Sequence, residues 1–324
     1  MTIRPATEQD LPAMLQLSKE SLGELAGMRT EEYWRWKHTQ NPFGCSPVLL
    51  ASKQDTLIGL RAFMRWRFCY QGKSIDAFRA VDTATHPEHR GQGIFSTLTV
   101  ALIDQVTSGT PSIIFNTPNS KSMPGYLKMG WKEVGKTRLR VKVHPVNMVQ
   151  HRFGNKTTHR QPEPFTLPDD IDSLLNTWKQ SQTHQVISEY HPDYLRWRYQ
   201  QIPVLKYGMH LSRQGNSACM IMYRLKQSNA LCELRLTEVI YVGTERKAVV
   251  QRAIQELSET YQPGVITVLA DAAGELDAML PVGFFPAEKR GLTITGRKVN
   301  DEGLESLLLN YKEWYLSAGT LELF

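Results

Sequence analysis

The stretch His86-Pro87-Glu88-His89-Arg90-Gly91-Gln92-Gly93-Ile94 holds the residue types that bind an anion. A β-rich run from Phe78 to His86 leads into it, and a helical pattern begins at Ile94. A strand, a glycine loop and a helix start aim several backbone N–H groups at one point, where the helix dipole adds partial positive charge. Gly91 and Gly93 let the backbone approach a ligand closely. Arg90 supplies a fixed charge suited to a phosphate. The common nucleotide patterns do not fit. A GxGxxG loop needs a third glycine where Ser96 stands, and the loop lacks the Gly-Lys-Ser/Thr of a P-loop.

The elements that must position this loop are readable on either side of it. Thr2 to Ala6 reads as a strand, and Leu11, Met14, Leu15 and Leu17 mark one helix face. A second helical stretch, Glu31 to His38, carries Tyr33, Trp34 and Trp36 and stops at Asn41-Pro42-Phe43-Gly44. These aromatics suit an acceptor cleft, but at this spacing at least one packs into the core. Pro47–Ser52, Thr56–Tyr70 and Ser74–His86 read as three strands joined by turns at Gln54-Asp55 and Gln71-Gly72-Lys73. Gly59 in mid-strand predicts a bulge or a close approach. After the loop come a helix from Ile94 through Val106, a buried strand Ser112–Asn116, and a final strand from Val134 to Val143.

The loop resembles the acyl-CoA pyrophosphate loop of the GNAT superfamily of N-acyltransferases, whose signature is Arg/Gln-x-x-Gly-x-Gly/Ala. Here it reads Arg90-Gly91-Gln92-Gly93-Ile94-Phe95, and Phe95 departs from the small residue of the pattern. A second segment strengthens the likeness. Asn119, Tyr126, Lys128, Gly130 and Trp131 match Asn-x-x-Ala-x-x-x-Tyr-x-Lys-x-Gly-Phe, with Ser122 in the small position. Pro124 and Gly125 predict a shortened helix there.

The resemblance implies an acyl-CoA cofactor, acetyl-CoA first. The strand before the loop would splay from its neighbour, so that the backbone of Thr83, Ala84 and Thr85 holds the pantetheine arm. His89, Arg90, Gly91, Gln92, Gly93 and Ile94 would take the pyrophosphate, and Asn119 would contact the cofactor from the next helix. Tyr126 is the implied general acid for the departing thiolate, or else packs under the cofactor. Three groups compete as general base. Asp82 lies in the strand facing the thioester, unless it pairs with an arginine such as Arg79. His86 follows it, unless it caps the turn. The carboxylate of Phe324 is the third, because the last segment from Trp314 is apolar enough to pack down. No metal site is expected.

The second half repeats the order of the first. Thr166 to Asp172 echoes the entry to the first helix, and His191-Pro192-Asp193-Tyr194-Leu195-Arg196-Trp197-Arg198-Tyr199 echoes Tyr33-Trp34-Arg35-Trp36-Lys37. Three strand-like segments run from Tyr207 to Val242, then a helix through Val249, Ile254 and Leu257, then a strand from Gly264 to Ala270. Strands and helices in this order, twice, imply two similar α/β modules. Where the loop should recur stands Val242-Gly243-Thr244-Glu245-Arg246-Lys247, and Leu280 is nearest to the place of Tyr126. The expected organisation is therefore an acyl-CoA-binding domain over 1–146, a linker over 147–164 and a degenerate second copy with a tail over 165–324. The fold class is α/β (α+β): two tandem GNAT-like modules, each a mixed, mostly antiparallel sheet flanked by helices.

Composition fits this reading. Of 324 residues, 41% are apolar and 22% charged, with 38 basic against 32 acidic residues and a net charge of +6. Arg61, Arg65, Arg67, Lys73 and Arg79 lie close together and read mostly as solvated strand faces; nucleic-acid contact is a minor alternative. Cys45, Cys69, Cys219 and Cys232 are isolated, without metal spacing. With neither a signal pattern nor an 18-residue apolar run, a soluble cytoplasmic protein is expected, without membrane contact. The expected activity is transfer of an acetyl or other short acyl group from coenzyme A to an amine of a small molecule or amino sugar. The alternative is a regulatory module that binds acyl-CoA without turnover.

Overall fold

The computed structural model describes residues 1–23, 30–107, 109–153, 161–228, 231–300 and 303–322. The first half runs β1 (Thr2–Pro5), α1 (Leu11–Leu22), α2 (Glu31–His38), β2 (Val48–Lys53), β3 (Thr56–Tyr70) and β4 (Lys73–Thr85). It continues with α3 (Ile94–Thr107), β5 (Ser112–Asn116), α4 (Met123–Lys128), β6 (Lys132–Lys136), β7 (Arg138–Val143) and α5 (Pro145–Phe153). The second half runs α6 (Ile171–Ser181), β8 (Ile187–Ser188), α7 (Pro192–Leu195), β9 (Gly208–Gln214), β10 (Ser217–Ser228) and β11 (Leu231–Val242). Then come α8 (Arg246–Tyr261), β12 (Val265–Ala270), α9 (Glu275–Met279), β13 (Phe284–Pro286), β14 (Thr293–Val299) and α10 (Gly303–Leu309).

Local chemistry explains these boundaries. The β2–β3 hairpin turns on Gln54 and Asp55 at φ 48° and 65°, and the β3–β4 hairpin on Gln71 and Gly72 at 51° and 74°. Paired left-handed residues of this kind give a two-residue turn whose twist matches the strands. Gly59 is a close approach: a Cβ there would meet Ile94 Cγ2 at 2.5 Å and Leu98 Cδ1 at 2.9 Å, so its absence lets α3 lie on β3. α4 is short, as Pro124 and Gly125 predict.

Two mixed sheets result, in the orders β1-β2-β3-β4-β5-β14-β6 and β13-β7-β12-β11-β10-β9. Each is antiparallel except at one pair, β4–β5 in the first and β11–β12 in the second. The halves exchange a strand. β7 lies between β12 and β13 in the second sheet, while β14 returns to lie between β5 and β6 in the first. The two crossings meet where Thr137 N–H donates to Leu292 O at 2.9 Å and Leu292 N–H donates to Thr137 Oγ1 at 2.7 Å. The expected single strand from Val134 to Val143 is thus two strands in different sheets, broken at Thr137. The expected linker also begins as structure, because α5 packs Met148 against Gly264 at the start of β12.

The halves meet at their matching helical segments. Trp36 and Trp197 stack with ring centroids 4.8 Å apart at 15°. Each indole N–H donates to the other's backbone carbonyl at 2.7 Å. Both side chains are buried at 1% exposure, so neither carbonyl has water to fall back on. Trp197→Phe removes one donor and strands the carbonyl of Trp36. It should lower stability by about 2 kcal/mol, read as a drop in chemical-denaturation midpoint at unchanged slope; an unchanged midpoint would show that the clasp adds nothing.

Candidate active site

β4 and β5 pair from Asp76↔Ser112 to Arg79↔Phe115 and then part. β4 runs on to Thr85, paired only with β3 among the described residues, at Val81↔Ala62, Thr83↔Arg61, Ala84↔Leu60 and Thr85↔Gly59. Asp82 is the extra residue between the first two of these pairs, a β-bulge with φ 38°. A left-handed aspartate inside a strand is strained and re-aims the side chain. The expected splay and the expected position of Asp82 thus coincide.

Asp82 points toward α2. Its Oδ2 lies 2.8 Å from Lys37 Nζ and 3.1 Å from His38 Nε2. Arg79, the partner weighed for it from sequence, instead pairs with Glu322, and its second guanidinium nitrogen donates to Leu321 O at 2.5 Å. Lys37 Nζ also sits 3.2 Å from Glu322, so one buried ammonium joins both carboxylates. Burial opposes the Lys37 charge, but Asp82 and Glu322 outweigh it and raise its pKa. Beside this cluster is a recess lined by Ser18, Tyr33, Trp34, Lys37, His38 and Asp82. Tyr33 and Trp36 belong to the core, while Trp34 lies against His38 with ring centroids 4.1 Å apart, tilted at 41°.

The anion loop lies at the far end of β4. Gly91 and Gly93 both have φ 76°, and a Cβ at either would meet open space. The N–H groups of Gly91, Gln92 and Gly93 have no acceptor among the described residues, whereas Ile94 is buried and begins α3. Arg90 donates to Ser21 O at 2.8 Å, which ties the loop to α1. His86 caps the turn, its Nδ1 accepting from Glu88 N–H at 3.3 Å, and its ring lies beside that of His89. Asn119 Oδ1 accepts from the N–H groups of Lys121 and Ser122, at 3.0 and 2.9 Å, and so shapes the entry to α4.

On the other face of the parting, α4 places Tyr126, 4% exposed, beneath β4. Arg61 reaches it from β3. This fully buried guanidinium donates to Tyr126 Oη at 2.8 Å and to Val81 O at 3.2 Å. The expectation that the arginine cluster is mostly solvated therefore fails at Arg61 and Arg79, both buried. Phe95, the departure from the family pattern, turns inward. It meets Tyr126 edge to face at 5.4 Å, and Gly125 makes room for it, since a Cβ there would lie 3.1 Å from the Phe95 ring.

The second sheet repeats the parting and fills it. β11 and β12 pair from Glu233↔Val265 to Leu236↔Val268, and a bulge follows opposite Met222 and Tyr223. The tail lies across the opened strand: Gly319 N–H donates to Thr237 O at 3.3 Å and Tyr315 Oη to Val239 O at 3.2 Å. Ser317 donates to buried Glu238 at 2.9 Å, beside hydroxyls from Tyr190 and Tyr199, each at 2.6 Å. The second loop is closed too, with Gly243 packed on Ser217 and Glu245 N–H bonded to Ser217 Oγ at 2.9 Å. From this plug the tail passes to Arg79 and Lys37 at the first site. The expected packing of the last segment is seen as far as Glu322, and Phe324 lies outside the described residues.

A family profile described as an acetyltransferase (GNAT) domain matches residues 2–134. Among curated proteins nothing matches. Solved structures share the fold at low identity. A GCN5-related N-acetyltransferase from Anabaena variabilis aligns at TM-score 0.63 and 14% identity, over 92% of this chain and 73% of that one. Another from Kribbella flavida gives 0.60 and 12%, over 91% and 71%. N-myristoyltransferase from Saccharomyces cerevisiae, solved with bound myristoyl-CoA and inhibitors, gives 0.54 and 11%, over 92% and 80%. No described helix is long and apolar enough to cross a membrane, and no described cluster suits a metal ion.

On the acid side, His38 and Glu322 of the ion cluster make stability depend on pH with one sign. Burial lowers the His38 pKa from its ordinary 6.5, against the pull of Asp82. Burial also works against ionised Glu322, but Lys37 and Arg79 outweigh it and lower its pKa from 4.5. In both cases the unfolded chain takes up the proton first, so stability is full above the ordinary pKa and falls as the solution is acidified. His144 and His191 shift the same way and share the His38 window. These histidines contribute a fall in melting temperature from about pH 7 to about pH 5, set against buried Glu238, whose raised pKa favours the folded protein as the solution is acidified. His38→Gln should make that contribution smaller; an unchanged slope would mean that folding does not shift the His38 pKa, and a steeper acid fall that His38 is charged in the folded protein.

Proposed function

We propose that the chain is an N-acyltransferase of the GNAT kind, on the premise that its residues 2–134 match the acetyltransferase (GNAT) domain profile. It moves an acetyl or other short acyl group from coenzyme A to an amine of a small molecule or amino sugar, by direct attack in a ternary complex. The observation that carries this reading is the parting of β4 from β5, with Asp82 on one face and Tyr126 on the other.

In this reading the backbone of Thr83, Ala84 and Thr85 holds the pantetheine arm. The N–H groups of Gly91 to Ile94, with His89, Arg90 and Gln92, face the pyrophosphate. Asn119 keeps its amide nitrogen for the cofactor, since its oxygen is used in the turn. Asp82 is the base preferred here, because His86 is held by the turn it caps. Lys37 stands against Asp82 as a fixed counter-charge.

The amine nitrogen attacks the thioester carbonyl, and its proton goes to Asp82. The C–S bond then breaks, and Tyr126 gives its phenolic proton to the departing sulfur. Phenol and thiol have ordinary pKa values within about two units, so this transfer is feasible. The products are the amide and coenzyme A. Fixed geometry removes part of the barrier, and proton transfer at each end removes more.

Acetyl-CoA should raise the melting temperature by mass action. Asp82→Asn and Tyr126→Phe should each slow thiol release by about 10²–10⁴-fold against the best amine in a panel of amino sugars and short amines. Absence of any thermal shift with acyl-CoAs would contradict the cofactor assignment. Binding without release across the panel would favour a regulatory module instead.

A further inference from the structure

We propose that Arg61 is a positioning residue for the departing thiolate, acting through Tyr126. This rests on the reading of Tyr126 as the general acid and deepens it. Arg61 is 0% exposed, and no described carboxylate pairs with it. A charge buried without a counter-ion is costly, and its Nε has no partner either. Its surroundings are three aromatic rings, with the guanidinium carbon 5.0 Å from the centroid of Phe63 and 5.5 Å from those of Phe95 and Tyr126. Ring faces attract a cation but do not neutralise it. The positive charge is therefore available to a ligand.

Geometry says which ligand atom. Arg61 joins the two sides of the parting, Val81 O on β4 and Tyr126 Oη on α4. Val81 lies two residues beyond the last β4–β5 pair, at the start of the opened edge. A guanidinium can only donate, so Tyr126 Oη must accept from it, and the phenol's own proton is turned away from Arg61. Tyr126 is thereby held as a donor to whatever enters the parting. When that proton moves to the sulfur, the tyrosinate left behind stands 2.8 Å from the Arg61 nitrogen, which stabilises it. The tyrosine regains a proton from water as coenzyme A leaves. Phe95 completes the arrangement by closing one side of the box, which gives its bulk a purpose.

The test needs no acceptor. Binding of coenzyme A and of desulfo-coenzyme A is compared by calorimetry at about pH 8, where an aliphatic thiol is partly ionised. The wild-type protein should prefer coenzyme A by about ten- to a hundredfold, the range of one charge-assisted hydrogen bond. Arg61→Met and Tyr126→Phe should each bring that preference close to one, while affinity for the desulfo compound stays within about twofold. Arg61→Lys keeps the charge in a foldable form and should retain part of the preference. A purely structural role would weaken both ligands alike. Preference lost in Tyr126→Phe but kept in both Arg61 variants would overturn the role of Arg61 alone. Absence of any preference in the wild type would overturn the role of Tyr126 and this one with it.

Discussion

The separation of β4 from β5 after Arg79 is the constraint on which the rest of the molecule depends. Two parallel strands that stop pairing leave backbone groups that need partners. The protein meets this need differently in its two halves. In the second sheet the chain's own tail supplies hydrogen bonds to Thr237 and Val239. In the first sheet no strand or tail segment among the described residues covers the opened edge, where Arg61 donates to Val81 O and the Asp82 bulge lies on the other side. The same backbone event makes a sealed seam in one place and a site in the other.

Everything around the first parting keeps it from collapsing. Each buried charge there has a partner, and removing one partner would leave the other charge buried and uncompensated. Lys37 holds Asp82 and Glu322, Arg79 holds the tail end, and Arg61 holds Tyr126. The Trp36–Trp197 clasp and the exchanged strands β7 and β14 make each half incomplete without the other. The proposed site is thus lined by both halves, although the glycine loop read as its cofactor loop belongs to the first.

Much of this was legible in the sequence, for identifiable reasons. Hairpin turns, strand periods and the Asn119–Trp131 segment are local signals, and the structure places each where those signals point. Gly59 announced a bulge or a close approach, and the structure has both, α3 lying on it and a register shift beside it. The echo of Tyr33–Lys37 in His191–Tyr199 was legible as a repeat, but no local signal showed that the two segments meet through Trp36 and Trp197. The strand exchange was not legible. A continuous β-rich run does not show that it changes sheets at Thr137. Arg61 was missed because charge on a strand usually faces water. The available clue was its place among Ile58, Leu60, Ala62 and Phe63, a run too apolar for a solvated face. Phe95 looked anomalous only because its counterpart, Gly125, lies on another helix.

A crystal structure of the full chain with bound coenzyme A tests the central claim most directly. The account predicts the pantetheine arm along Thr83 to Thr85, the pyrophosphate on Gly91 to Ile94, and the sulfur in the β4–β5 parting between Asp82 and Tyr126. The β11–β12 parting should stay filled by Tyr315 to Gly319. Coenzyme A bound with the tail displaced from the second sheet, or with its sulfur remote from Tyr126, would contradict it.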